Sequence, residues 1–182
     1  MPLKWKKETL KLKKDHEWKA KPGYRIFVAD QGAVRFNFPQ DWIVQPDSDS
    51  TKFYDREPLE DADCRLECSY LRLPPIDWSG LPLSQLVQVA VEGGHRALVP
   101  VGRLIHMERE GVELAWAEFQ FIDPNEHREA STRICIGRGS TIQTLITLDY
   151  WPQDAIPLSA VWDEVMRSLE LGRYVNDPTI GV

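Results

Sequence analysis

The chain has 182 residues, of which 42% are hydrophobic, 10% aromatic and 27% charged. That balance excludes a disordered chain, and one globular domain of this size buries roughly 70% of the surface it exposes when unfolded. No apolar run approaches the ~20 residues of a membrane helix. No apolar stretch follows the basic start to make a secretory signal, and the three cysteines point to a reducing, cytoplasmic setting.

The net charge of −6 is unevenly spread. Residues 1–21 carry eight lysines against Glu8, Asp15 and Glu17, a balance of +5, and the rest carries fourteen bases against twenty-five acids, a balance of −11. As a helix this segment scatters Leu3, Trp5, Leu10 and Leu12 over opposed sides, which disfavours an amphipathic membrane helix. As a strand, Thr9–Lys14 sets Leu10 and Leu12 against Lys11 and Lys13, which predicts an edge strand protected by lysines. The competing reading is a basic arm for nucleic acid or anionic lipid. The acidic remainder repels phosphate, so neither nucleic acid nor membrane insertion is expected.

Beyond the lysine-rich segment, Tyr24–Ala29 and Ala33–Phe38 alternate as two strands of a hairpin turned at Asp30-Gln31-Gly32. Pro39–Trp42 turns the chain, Trp42-Ile43-Val44 starts another extended piece, and Phe53-Tyr54 is expected as a brief strand. The segment Asp55–Asp63 is acidic and irregular. Cys64–Leu73 then alternates, with Cys64, Leu66, Cys68 and Tyr70 on one face, before Pro74-Pro75 and a loop carrying Trp78. Leu83, Leu86, Val87, Ala90 and Val91 make the stripe of a helix over Pro82–Glu92, stopped at Gly93-Gly94. Strands Val101–Arg109, Val112–Phe121, Ser131–Gly137 and Thr141–Tyr150 follow in hairpins, and a second helix spans Pro157–Leu171.

The later strands are apolar on both faces: Leu114 and Trp116 oppose Ala115, Ala117, Phe119 and Phe121. A sheet with one wet face alternates cleanly, so both faces are expected to be covered. Residues from Tyr24 onward are therefore expected to form one mostly antiparallel sheet with the two helices as covers. One domain spans residues 1–182, with a core over 24–172 and a tail over 173–182.

The strand ending Phe38-Pro39-Gln40-Asp41-Trp42 and the closing helix Trp162-Asp163-Glu164-Val165-Met166-Arg167-Ser168-Leu169-Glu170-Leu171, with the elements between them, resemble the PsbP-like superfamily. That superfamily includes an extrinsic protein of photosystem II and a nuclear-import factor that binds the Ran GTPase. The resemblance covers roughly Tyr24 to Gly172. It implies an α+β fold, an α/β/α sandwich with a central antiparallel sheet covered by helices on both faces, and a binding or assembly role in place of catalysis.

No catalytic constellation, metal site or cofactor motif is expected. Cys64 and Cys68 lie four apart on a strand, about 13 Å at ~3.3 Å per residue, too far for a disulfide or a shared zinc. Both read as small core hydrophobes, and Cys135 has no histidine adjacent in sequence to activate it. His106, Glu108 and Glu110 alternate near a hairpin tip, a solvated strand face that needs another strand to chelate an ion. His16, His95 and His127 read as exposed. Gly137-Arg138-Gly139-Ser140-Thr141 lacks the lysine and following helix of a phosphate loop and reads as a hairpin turn.

The densest acidic run lies between Asp47 and Asp63, without the glycine of a calcium loop. It reads either as a solvated loop or as a docking surface for a basic protein. The candidate partner-binding residues are Asp55, Glu57, Glu60, Asp61 and Asp63, with Trp78 as an aromatic anchor. The two groups flank opposite ends of a strand, about 30 Å apart at ~3.3 Å per residue, so one compact patch is not expected. The leading functional expectation is a non-enzymatic protein-interaction or assembly domain. The alternative is a small-ligand binder or enzyme whose site is assembled from sequence-distant side chains.

Overall fold

A computed structural model describes residues 6–182; Leu3 and Trp5 lie outside the described residues. Ten strands and two helices follow in chain order: β1 (Tyr24–Ala29), β2 (Val34–Pro39), β3 (Ile43–Pro46), β4 (Thr51–Tyr54), β5 (Cys64–Arg72), α1 (Leu83–Glu92), β6 (Val99–Arg109), β7 (Val112–Ile122), β8 (Glu129–Gly139), β9 (Ile142–Tyr150), α2 (Ala155–Ser168) and β10 (Glu170–Leu171). All pairings are antiparallel, and the fold is α+β.

The strands form two sheets, not the single one expected. A seven-stranded sheet runs β3-β4-β5-β9-β8-β7-β6, and a three-stranded sheet runs β1-β2-β10. The physical reason is that both edges of β2 are taken. β1 pairs along its whole length, and the two-residue β10 pairs Glu170 with Arg35 and Leu171 with Val34. The turn at Pro39–Trp42 then carries β3 into a different layer. β10 also shortens the second helix, which ends at Ser168 and not at Leu171. Pro157 sits in its first turn, where a missing N–H breaks no helical bond.

Phe27 and Phe36, with Phe38, meet Phe53 of β4 with ring centroids 5.0–5.5 Å apart. This aromatic cluster fastens the small sheet onto the large one. The α2 residues Leu158, Trp162, Val165 and Met166 share a core with Cys68, Cys135, Ile146 and Leu148. Leu83 and Val87 of α1 share another with Ala115, Ala117, Phe119, Ile134 and Ile136. Cross-strand rows explain the size of the first core. The row Cys68–Ile146–Cys135–Trp116–Ile105 crosses five strands in register, and Trp162 stacks edge-on against Trp116 at 5.6 Å. Arg133, in a neighbouring row, reaches Ser159 of α2 at 2.9 Å.

The N-terminal segment differs from expectation. Thr9–Lys14 forms no strand, because its bonds go to the C-terminal tail. The Lys13 amide donates to the Thr179 carbonyl (3.0 Å) and the Glu17 amide to Ile180 (2.7 Å). Trp18 is buried there, its ring N–H donating to the Pro178 carbonyl at 2.8 Å, with Arg35 stacked 4.6 Å from the ring. The tail, which lacks any periodicity, is thus ordered by contacts from outside it: Trp18 at its end and, nearer β10, the Val175 amide on the Gln31 carbonyl (2.8 Å), with the Val175 side chain buried. At Gly32 (φ 122°) a Cβ would fall 2.2 Å from the Arg173 carbonyl oxygen, so the tail's path past β2 requires glycine there.

Candidate functional site

Where the acidic loop closes on the start of α2, the surface carries a cleft of about 350 Å³. Its apolar wall comes from Trp42, Cys64, Leu158 and Val161, and its polar side from Asp55, Arg56, Asp63 and Asp154. The loop is shaped by its own carboxylates. Asp55 accepts the backbone N–H groups of Asp63 (2.9 Å) and Cys64 (3.2 Å), closing the loop at its base. Arg56 pairs with Asp63, and with Asp55 at 3.4 Å. A single 3-10 turn over Leu59–Asp61 makes the tip.

The five acids nominated in the loop therefore divide. Asp55 and Asp63 are half-buried and engaged in building it, whereas Glu57, Glu60 and Asp61 are exposed on its tip. Trp78 stays apart, half-buried at the far end of β5, its ring N–H donating to the Pro74 carbonyl at 3.0 Å. Asp154 is the site residue that sequence reasoning missed. It lies some ninety positions from the loop, and its place beside it follows from Cys64 pairing with Tyr150 at the β5–β9 register. Its side chain makes no hydrogen bond or ion pair among the described residues.

The electrostatics of the cleft converge on Cys64. Burial pushes its thiol well above the usual range, and the charges of Asp55, Asp154 and Asp63 push it in the same direction. Burial likewise raises the Cys68 thiol to about 12 and raises that of Cys135 strongly. These thiols stay protonated at neutral pH, and a nucleophile needs the thiolate. His106 is bound to a neighbouring strand, its Nε2 3.1 Å from Glu113, which also holds Arg138 at 3.3 Å. The glycine-flanked Arg138 turn joins β8 to β9 as a hairpin, and Arg138 itself is buried against the Leu81 carbonyl at 3.0 Å.

A second cleft, of about 570 Å³, lies between Lys19–Lys21 and the outer side of α2. Its most buried polar group is already satisfied. Glu164 accepts hydrogen bonds from Asn37 (2.9 Å) and from Arg167 (2.8 and 2.5 Å). Among the described residues no helix is long and apolar enough to cross a membrane.

Residues 25–175 match the Alr1449 family model. The chain belongs to the Alr1449 family. A relative within it is the uncharacterized protein alr1449 of Nostoc sp. strain PCC 7120, 50% identical over 181 residues, which are 99% of this chain and 94% of that protein. Among solved structures, this Alr1449-family chain is similar to the cyanobacterial PsbP protein CyanoP from Synechocystis sp. PCC 6803. The TM-score is 0.63 at 12% identity, covering 84% of this chain and 94% of that one. It is also similar to the Ran-binding protein Mog1p of Saccharomyces cerevisiae, with a TM-score of 0.54 at 9% identity, covering 81% and 95%. The resemblance to the PsbP-like superfamily read from the Phe-Pro-x-x-Trp turn and the closing helix is thus a likeness of fold.

Proposed function

We propose that this Alr1449-family domain is a non-enzymatic protein-interaction module of the cytoplasm that presents the acidic rim of its cleft to a basic segment of a protein partner. The observation that carries the reading is the meeting of Asp154, which has no pairing partner among the described residues, with Asp55 and Asp63, which share the single cation Arg56, around an apolar wall, so the rim keeps a net negative charge. A lysine or arginine side chain has a charged head for such a rim and an apolar stem for such a wall. Glu57, Glu60 and Asp61 extend the negative field outwards, where rim charges act mainly by steering encounter. Trp78 enters the proposal as a separate contact, outside the cleft. Free, buried cysteines fit a reducing compartment.

The reading of the layers as an α/β/α sandwich supports a scaffold role. Along β8, Ile134 and Ile136 go with α1 while Cys135 goes with α2, and successive strand residues point to opposite faces.

A lysine-rich peptide titrated into the protein at low and high salt tests the proposal. Reversing Glu60 and Asp61 to lysine is expected to slow association and flatten its salt dependence, with stability unchanged within ~0.5 kcal/mol. Equal association rates for the wild type and the reversed variant at every salt concentration refute it.

A further inference from the structure

The outermost strand of the large sheet is left with apolar side chains facing water. Val101, Ile105 and Met107 are each 38% exposed, and their register opposite Glu118, Trp116 and Leu114 places them on the face that carries the main core. Ile105 ends the row that runs through Cys68, Ile146, Cys135 and Trp116, so the core face simply continues past its cover. Beyond the bulge between Val101 and Ile105, β6 is regular to Arg109. Among the described residues no strand pairs with its outer edge. Such an edge is a template for another strand.

The chain carries a segment of matching pattern. Residues 6–17 are all exposed, with Leu10 at 41% and Leu12 at 39%. Laid parallel to β6 with Leu10 beside Ile105 and Leu12 beside Met107, the same offset brings Lys13 to Glu108, and Glu8 to the bulge that carries Arg103. Aliphatic side chains then meet aliphatic ones, and opposite charges meet at both ends. Glu8, Arg103 and Glu108 make no ion pair among the described residues, whereas Lys13, held within the chain by Asp177 at 3.0 Å and through its amide by Thr179, exchanges those exposed contacts for Glu108 on docking. Lys11 falls opposite His106, which is held by Glu113. Lys14 falls opposite Arg109, whose guanidinium is turned inward onto the carbonyls of Met166 (2.7 Å) and Leu169 (2.6 Å).

Within one chain the arm runs elsewhere. Lys7 donates to the Val44 carbonyl of β3 at 3.1 Å, and β3 is the opposite edge of the sheet, roughly 30 Å away at ~4.8 Å per strand. We propose that the β6 edge is the docking site for residues 8–13 of a second copy of this chain, added as a parallel strand. Reciprocal exchange of two arms closes the assembly as a two-fold dimer.

Sedimentation velocity of the full chain over a wide concentration range, at low salt, tests this. Reversible dimerisation is expected, and Met107→Lys, which sets a charge on the leucine track at an exposed site, is expected to abolish it without unfolding the monomer. Glu8→Lys and Arg103→Glu are each expected to weaken it roughly two- to fivefold, the size of a cross-strand ion pair, and the two together to restore it. A monomer at all concentrations overturns the proposal. So does a dimer indifferent to Leu10→Ser with Leu12→Ser, which would mean that edge pairs with edge, and so does failure of the charge swap to restore association.

Discussion

Helix α2 and the N-terminal segment over residues 6–21, a strap across the small sheet, both close on β2, and they hold it by different physics. α2 lies beside the strand and sends a row of apolar side chains, led by the fully buried Trp162, into the core between the sheets. Among its described residues the strap buries one large apolar side chain, Trp18, clamped between Arg35 of β2 and the tail at Pro178 and Gly181. Asn37 touches both, donating to the Lys19 carbonyl of the strap at 3.4 Å and to Glu164 of α2 at 2.9 Å. A helix face spreads its stabilisation over several positions, whereas a strap concentrates it at the one residue that is buried.

The sharpest way to break that comparison is to hollow each anchor in turn. Trp162→Ala removes a side chain with no exposed surface and a stacking partner in Trp116, and is expected to cost about 3–5 kcal/mol in urea unfolding. A loss below ~1 kcal/mol would mean that the helix face does not carry the core.

Trp18→Ala is expected to cost about 2–3 kcal/mol, less than a central tryptophan because one side of the ring faces only the tail. Deletion of Met1–Lys7 is expected to leave stability unchanged within ~0.5 kcal/mol, and deletion of Met1–Lys14 nearly so. The latter removes the backbone bonds from Lys13 to Thr179 and from His16 to Lys13, the Lys7 contact to Val44, and the exposed Lys13–Asp177 pair. The loss should appear when the deletion passes Trp18. A large loss already at Lys14 would relocate the anchor to the lysines.

This contrast also explains what could be read from the sequence. α2, α1 and the hairpin strands show themselves because each repeats its apolar residues at the period of its own structure. The division into two sheets does not, since it is decided by two residues, Glu170 and Leu171, pairing with β2 across more than a hundred positions. A two-residue strand has no period. The same holds for the strap, where the alternation of Leu10 and Leu12 predicts a strand that the bonds of Lys13 and Glu17 to the tail replace. In the cleft, the acids of the loop are legible as a local run. Their division into loop-building and exposed groups depends on Arg56 and two backbone amides, and Asp154 joins them only through the β5–β9 register.

The polar half of the α2 contact is testable by pH. Hydrogen bonds from Arg167, then from Asn37, hold the Glu164 carboxyl below its usual range. A lowered folded-state value stabilises above the unfolded pKa, near 4.3 for glutamate, and that stabilisation is lost as pH falls through the lower folded value. Glu164→Gln is therefore expected to cost about 1–2 kcal/mol at pH 7, with the gap to wild type closing as the pH falls below about 4. A gap that stays constant into acid would mean that the carboxylate charge contributes nothing to holding β2.

The smallest effect belongs to the polar clasp of the strap. Asp177 accepts from the Thr179 hydroxyl and amide and from Lys13, and these contacts bring its carboxyl down to about 2. The sign is again that of a lowered acid: the contribution is present above the ordinary aspartate range, near 3.9, and disappears as pH falls through about 2. The group is exposed, so water and salt screen it. Its loss should therefore loosen the tail locally without unfolding the domain. Asp177→Asn is expected to shift the amide resonances of Thr179 and Lys13 at neutral pH while those of α2 stay in place. In the wild type the same amides should move on acidification towards the positions they hold in the variant, whose own spectrum should show no such step. If instead the α2 amides move together with them, the strap and the helix are one cooperative unit, and the contrast between a distributed and a concentrated anchor fails.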